Sequence, residues 1–127
     1  MNVLLIDDDD DIRKIGKLSL EIVGKHDVST AASALEGLRA AQLDRPDVIL
    51  MDMMMPGMDG LAALSELQRS PSLKDVPVLF MTAKVQRSEV QRYVALGAVG
   101  VIPKPFDPMK LPGELHRLLE SKKALPR

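Results

Sequence analysis

The run Val48-Ile-Leu-Met51 constrains this chain more than any other stretch. Four apolar residues in a row, with no polar alternation, do not suit a sheet with one wet face. They suit a strand buried on both faces, as in a parallel sheet covered by helices. The run closes on a carboxylate, Asp52. Pro56 and Gly57 then stop the strand, and Asp59-Gly60 offers a cap for a helix. Ligand sites in open α/β sheets lie just past the carboxyl ends of strands, which is where Asp52 stands. Taken alone, Asp52 is equally well explained as a polar residue that ends a strand.

The remaining segments repeat this pattern. Val3–Ile6 reads as a short buried strand ending at Asp7-Asp8, and Asp9, Asp10 and Asp11 open a helix, where acidic residues suit the positive end of the dipole. Ile12, Ile15, Leu18 and Ile22 recur at helical spacing, which predicts a helix to about Val23 with Gly24 as its stop. His26–Thr30 is a weaker strand, and Ala32–Leu43 is helical by propensity. Leu61, Leu64 and Leu67 mark a helix ending near Ser70-Pro71. Val76–Met81 is a strand ending at Thr82-Ala83. Ser88–Leu96 is a helix with Gly97 as its stop, and Val99–Ile102 is a strand followed by Pro103-Lys104-Pro105-Phe106. Asp107-Pro108 starts a turn, and Pro112 delays the regular last helix to about Leu111–Lys122. Five strands alternating with five helices predict one doubly wound, five-stranded parallel α/β sandwich. We expect a single domain over 1–127, with its core at about 1–121 and a short tail at 122–127.

Composition removes several function classes. Lys plus Arg is 17 and Asp plus Glu is 18, so no generally basic surface for nucleic acid is expected. One Tyr, two Phe and no Trp leave few rings for base stacking. Without cysteine there is no disulfide framework and no thiolate metal site. The start lacks the basic, apolar pattern of a signal peptide, and no apolar run approaches the roughly 20 residues of a membrane span. A cytoplasmic location fits these features.

Four of the five strands end in a polar or charged group: Asp7-Asp8, Asp52, Thr82 and Lys104. In a parallel sheet those ends share one edge. Three carboxylates gathered there repel one another, and a hard divalent cation relieves the repulsion. Mg²⁺ prefers oxygen ligands and typically takes one or two carboxylates plus a phosphate oxygen. A nearby lysine pairs with a phosphoryl oxygen. Together these groups suit phosphoryl transfer onto a carboxylate.

Four segments, Val3–Arg13, Asp47–Gly60, Met81-Thr82-Ala83-Lys84 and Pro103-Lys104-Pro105-Phe106, resemble the receiver domain of two-component response regulators. Each motif alone is weak, but all four in order are specific, and the likeness runs from Met1 to about Leu119. The resemblance implies a flavodoxin-like sheet of strand order 2-1-3-4-5. It implies that Asp52 accepts phosphate from a histidine kinase or a phosphotransfer protein. The metal would be Mg²⁺, with Mn²⁺ as a substitute, held by Asp8, Asp52 and the Met54 carbonyl, and by Asp7 through water. Lys104 would contact the phosphoryl group, oriented by a cis bond to Pro105, and Thr82 would turn its hydroxyl toward it. The response would reach partners through the helix at Ser88–Leu96, the strand at Val99–Ile102 and the last helix. A phosphorylation-dependent homodimer is within the family's habits, and the downstream target is unspecified. The chemistry is self-directed, so the chain is not expected to be an enzyme with turnover substrates.

The chain departs from the family at Val101, where many receivers carry an aromatic ring that turns inward on activation. Met54 and Lys84 stand where the family tunes the lifetime of its aspartyl phosphate, and a methionine there predicts slow self-dephosphorylation. Tyr93, Arg87 and Arg92 are expected on or near the partner face, with Tyr93 as a surface residue. Two other readings compete. One is an interaction module of receiver shape that never takes phosphate. The other is an aspartate-nucleophile phosphatase of the haloacid dehalogenase type, in which Asp7 and Asp9 would fit but Asp11 replaces the expected Thr or Val. The methionines near Asp52 fill core and loop rather than bind a soft metal, since no Cys or His accompanies them. His26 and His116 are given no role, and Lys122-Lys123 is expected to face the negative pole of the last helix.

Overall fold

A computed structural model describes residues 1–83 and 85–124, with side chains as far as residue 121. Five strands, β1 (Asn2–Ile6), β2 (Asp27–Ala31), β3 (Val48–Asp52), β4 (Val78–Thr82) and β5 (Gly100–Pro103), form one parallel sheet in the order β2-β1-β3-β4-β5. The helices between and after them are α1 (Asp10–Leu18), α2 (Ala34–Leu43), α3 (Gly60–Arg69), α4 (Arg87–Ala95) and α5 (Leu111–Ala124). The register sets Leu5 opposite Leu50, Leu50 opposite Leu79 and Leu79 opposite Gly100, so β1, β3, β4 and β5 end nearly level.

Side-chain alternation along the strands divides the core in two. Leu4, Ile6, Ile49, Met51, Val78 and Phe80 face one layer with Ala34, Ala63, Leu64 and Tyr93 from α2, α3 and α4. Val3, Leu5, Val48, Leu50, Leu79, Met81 and Ile102 face the other with Leu20, Leu111 and Leu115. Both faces of β3 and β4 are covered, which accounts for their unbroken apolar sequence. The helix starts are set by carboxylates and hydroxyls. Asp9 Oδ1 accepts from the Asp11 and Ile12 amides, Ser33 Oγ from Glu36, and Asp59 Oδ1 from Ala62.

The inward face of α1 is not the face that periodicity picks out. Ile15, Leu18 and Ile22 are 43%, 55% and 63% exposed, while Gly16, Ser19 and Leu20 are buried. The cause is close approach. A Cβ on Gly16 would lie 2.7 Å from Leu5 Cδ2, so for α1 to sit this low on the sheet any side chain at 16 would have to push Leu5 aside. A π-helical turn, Ser19–Val23, then brings Leu20 into the core. The helix ends at Val23 with Gly24 as its cap, as expected, but Gly24 is not the left-handed residue. Its φ is ordinary, and the left-handed position falls on Lys25 (φ 59°). Gly24 is small for packing, since a Cβ there would meet Leu20 O at 2.8 Å and Pro112 Cβ at 2.9 Å. At the end of α4, by contrast, Gly97 has φ 118° and stops the helix as expected. Strand β4 begins at Val78, two residues later than the apolar pattern suggests. Helix α5 follows a turn in which the Met109 amide donates to Asp107 Oδ1. The expected placement of Lys122 and Lys123 concerns side chains outside those described.

The assignment of faces on α1 is testable by urea unfolding. Gly16→Val should cost about 1–3 kcal/mol by forcing Leu5 aside. Ile15→Ser should stay within about 0.5 kcal/mol of the parent. The reverse ranking would place Ile15 inside.

Candidate functional site

The site is built by strand ends. Asp7 and Asp8 follow β1, Asp52 closes β3, Thr82 closes β4 and Lys104 follows β5. Because the strands run parallel and end level, residues as far apart in sequence as Asp7 and Lys104 meet. Lys104 Nζ donates to Asp7 Oδ2 at 2.7 Å and lies 3.3 Å from Asp52 Oδ1. One oxygen from each of Asp7, Asp8 and Asp52 falls within 4.8 Å of the others. Asp7 is fully buried and Asp52 nearly so, whereas Asp8 faces solvent. Such a set, all oxygen with one carboxylate open to water, fits a hard divalent cation.

Each group is held by its own loop. Asp7 Oδ1 accepts from the Asp9 amide at 2.9 Å, so both Asp7 oxygens are engaged, one by backbone and one by Lys104. Arg13, one turn into α1, reaches back and donates Nη1 to the Asp7 carbonyl at 2.7 Å, and its Nη2 pairs with Asp10. Sequence reasoning quoted Arg13 in a motif but gave it no task. The signal available was its spacing, one turn after the Asp9 cap. Asp52 Oδ1 accepts from the Met54 amide at 3.3 Å, which folds the loop over the carboxylate, while the Met54 side chain is 64% exposed. Gly60 lets that loop close, since a Cβ there would lie 3.1 Å from Asp52 O. The Lys104 amide donates to Thr82 O at 3.0 Å, tying the fifth strand end to the fourth, and the Lys104–Pro105 bond is cis.

The electrostatics follow from this packing. Burial, and then the Asp7 carboxylate, push the Asp52 pKa above its ordinary value. Lys104 and the Met54 amide offset only part of that. Burial acts against the charge on Lys104, but its hydrogen bond to Asp7 and the charges of Asp7 and Asp52 outweigh it, and its pKa rises. One cation thus shares two buried carboxylates, and the site holds more negative charge than its own lysine neutralises.

Other residues singled out in the sequence lie differently. Met51, Met53 and Met55 are buried and fill core. Val101 is half-buried against the layer that holds Phe80. Tyr93 is not on the surface: it is 4% exposed and packs edge-to-face on Phe80, with ring centroids 5.7 Å apart. Lys84 lies outside the described residues.

Fold and strand-tip site together define a class: a flavodoxin-like α/β protein that gathers an acidic, lysine-bearing, oxygen-donor site at one sheet edge. Residues 3–116 match the response regulator receiver domain, and the chain belongs to that family. Its sequence is 33% identical over 117 residues to a probable transcriptional regulator, ycf27, of Cyanophora paradoxa, covering 92% of this chain and 47% of that protein. It is 32% identical over 125 residues to the DNA-binding dual master transcriptional regulator RpaA of a Synechocystis strain, covering 98% of this chain and 52% of that protein. The chain therefore spans about half the length of these relatives. Among solved structures, the chemotaxis response regulator CheY4 of Vibrio cholerae superposes with a TM-score of 0.85 at 35% identity, over 92% of this chain and 97% of that one. The chain is thus a receiver domain of the two-component type. Among the described residues, no helix is long and apolar enough to cross a membrane.

The raised Asp52 pKa has a thermodynamic consequence. The folded carboxyl keeps its proton to higher pH than an unfolded one, so the native state binds more protons through that window and loses stability as pH rises across it. In metal-free buffer, Asp52→Asn should therefore melt above the parent at neutral pH. The gap should close as pH falls toward the ordinary carboxyl value of 3.8. A thermal melt series in pH checks this, and equal melting at neutral pH would contradict it.

Proposed function

We propose that Asp52 is the phosphoacceptor of this receiver, taking a phosphoryl group from a phosphohistidine on a kinase or phosphotransfer protein. The observation that carries the reading is Lys104 Nζ, set between Asp7 and Asp52 at 2.7 and 3.3 Å with Asp8 alongside. In this reading an Asp52 oxygen attacks phosphorus, the P–N bond to histidine breaks, and the electron pair leaves with the imidazole. Lys104 stays within reach of a phosphoryl oxygen, and Asp7 keeps the ammonium in place. Asp8, Asp52 and the Met54 carbonyl would hold Mg²⁺, with Mn²⁺ as a substitute and Asp7 acting through water. Bound there, the ion supplies charge neutralisation for the transferred group. Thr82, buried at the end of β4, would turn its hydroxyl toward the phosphoryl group. Met54 presents an exposed thioether beside the acceptor, neither a base nor a proton donor for water, which favours a long-lived phosphoryl group.

The phosphatase reading would need Asp7 as nucleophile, and Asp7 is fully buried with both oxygens engaged. The DNA-binding role in the name of the Synechocystis relative is not assigned to these residues, because the chain spans only half of that protein. We place the module in the cytoplasm, acting as a switch rather than on turnover substrates. A domain of its own over 1–127 fits the single sheet and its two-layer core.

For the phosphodonor we propose α1. Its start is part of the site through Asp9. From there Ile15 and Leu18, and then Ile22 in the π turn, carry an exposed apolar stripe away from Asp52. An apolar stripe leading from an acceptor suits a helical partner whose histidine must reach it.

Intact-mass analysis after incubation with acetyl phosphate and Mg²⁺ tests the acceptor. One phosphoryl group should be gained by the parent, and none by Asp52→Asn or without the metal. Removing the donor then times the loss, which should take minutes rather than seconds. A parent that never gains mass, even from a phosphorylated kinase, would favour the interaction-module reading. Leu18→Asp should slow transfer from a kinase about tenfold or more, equivalent to about 1.4 kcal/mol, while leaving labelling by acetyl phosphate unchanged. Equal loss with both donors would remove α1 as the docking helix.

A further inference from the structure

Val101 leaves β5 without a ring to report the state of the acceptor, yet an aromatic side chain is present in the same layer. It comes from α4. Tyr93 is the one buried residue of that helix, and its remaining residues are exposed or half-exposed. The Tyr93 ring stands edge-on to Phe80, with planes inclined by 73°. Phe80 and Thr82 share a face of β4, two residues apart, and Phe80 lies beside Val101 in the register. The Tyr93 hydroxyl donates to Glu89 Oε2 at 3.0 Å, within the same helix, so ring and helix move as one body. At its start α4 has only Gln86, whose side chain makes no cap, and residues 83–86 alone separate it from Thr82. A helix with one buried ring, tied at its far end by the Gln68 amide donating to Leu96 O at 2.8 Å and starting five residues after Thr82, has few contacts to break when its first turn shifts.

We infer that the Phe80–Tyr93 contact couples α4 to the acceptor site, and that Tyr93 is the positioning residue through which phosphorylation of Asp52 moves α4. The role given to a strand aromatic in related receivers is here carried by the helix. The inference rests on Asp52 being the phosphoacceptor. Movement of Thr82 toward the phosphoryl group shifts the end of β4, α4 follows, and the Tyr93 ring slides on Phe80. Val101 is small enough to accommodate that slide.

The chain contains one Tyr and no Trp, so its tyrosine emission and near-ultraviolet dichroism come from Tyr93, with only two Phe beside it. Both signals are to be recorded on the full chain before and after acetyl phosphate and Mg²⁺, with intact mass measured on the same samples. Amide exchange of residues 87–95 is followed in parallel. The expected result is a change in both tyrosine signals that scales with the phosphorylated fraction and is absent in Asp52→Asn. Tyr93→Leu should be phosphorylated as fully as the parent but should lose the phosphorylation-dependent change in α4 exchange. Tyr93→Phe, which keeps the ring, should retain it. Complete phosphorylation with silent tyrosine signals overturns the inference and leaves Asp52 as the acceptor. So does a Tyr93→Leu variant whose α4 responds in full. If Tyr93→Leu does not fold, the parent's spectra and Tyr93→Phe still decide. No gain of mass from any donor overturns the acceptor reading, and the inference falls with it.

Discussion

Two carboxylates that share one half-buried lysine organise this molecule. Asp7 has no exposed surface and Asp52 almost none, and ionised groups so placed repel one another strongly. Lys104 relieves part of that repulsion, reaching Asp7 more closely than Asp52. Burial first, and then the remaining repulsion from Asp7, raise the pKa of Asp52, and the site keeps an unmet demand for positive charge. The sheet order, the level strand ends and the tight loop over Asp52 serve to keep these groups together.

Much of the fold was legible because buried strands in a parallel sheet leave a plain signature. The runs at Val48–Met51 and at Val78–Met81 are apolar on both faces, and both lie in the middle of the sheet. The cap at Asp59 was legible too, since a carboxylate before a helix has few other local uses, whereas Asp9, which caps α1, read only as one of three acidic residues opening that helix. What misled was α1. Its large side chains repeat with helical spacing, and spacing reports that a helix is two-sided without reporting which side is inside. Gly16 decides that, by a clearance against Leu5 that no pattern of large residues records.

The site was legible in part. Strand ends in a parallel sheet must share an edge, so Asp7, Asp8, Asp52 and Lys104 could be brought together from order alone. Arg13 could not, because its contact is to a carbonyl and depends on how the first loop folds. Tyr93 was misplaced for a related reason. On a helix whose residues are mostly polar, one aromatic residue reads as surface, and the edge-to-face contact with Phe80, in a layer that Val101 also joins, places it inside. The substitution at 101 and the ring at 93 are most simply understood together, as one volume supplied from a different element.

The separation of Asp7 and Lys104 along the chain is the feature with the widest reach. Asp7 follows the first strand and Lys104 the fifth, so the two are joined only through the assembled sheet. Until β5 docks at the edge of the sheet, the acidic pocket lacks its lysine. The pocket is therefore whole only when the sheet is whole, and the ion pair reports on the fold as much as on the site.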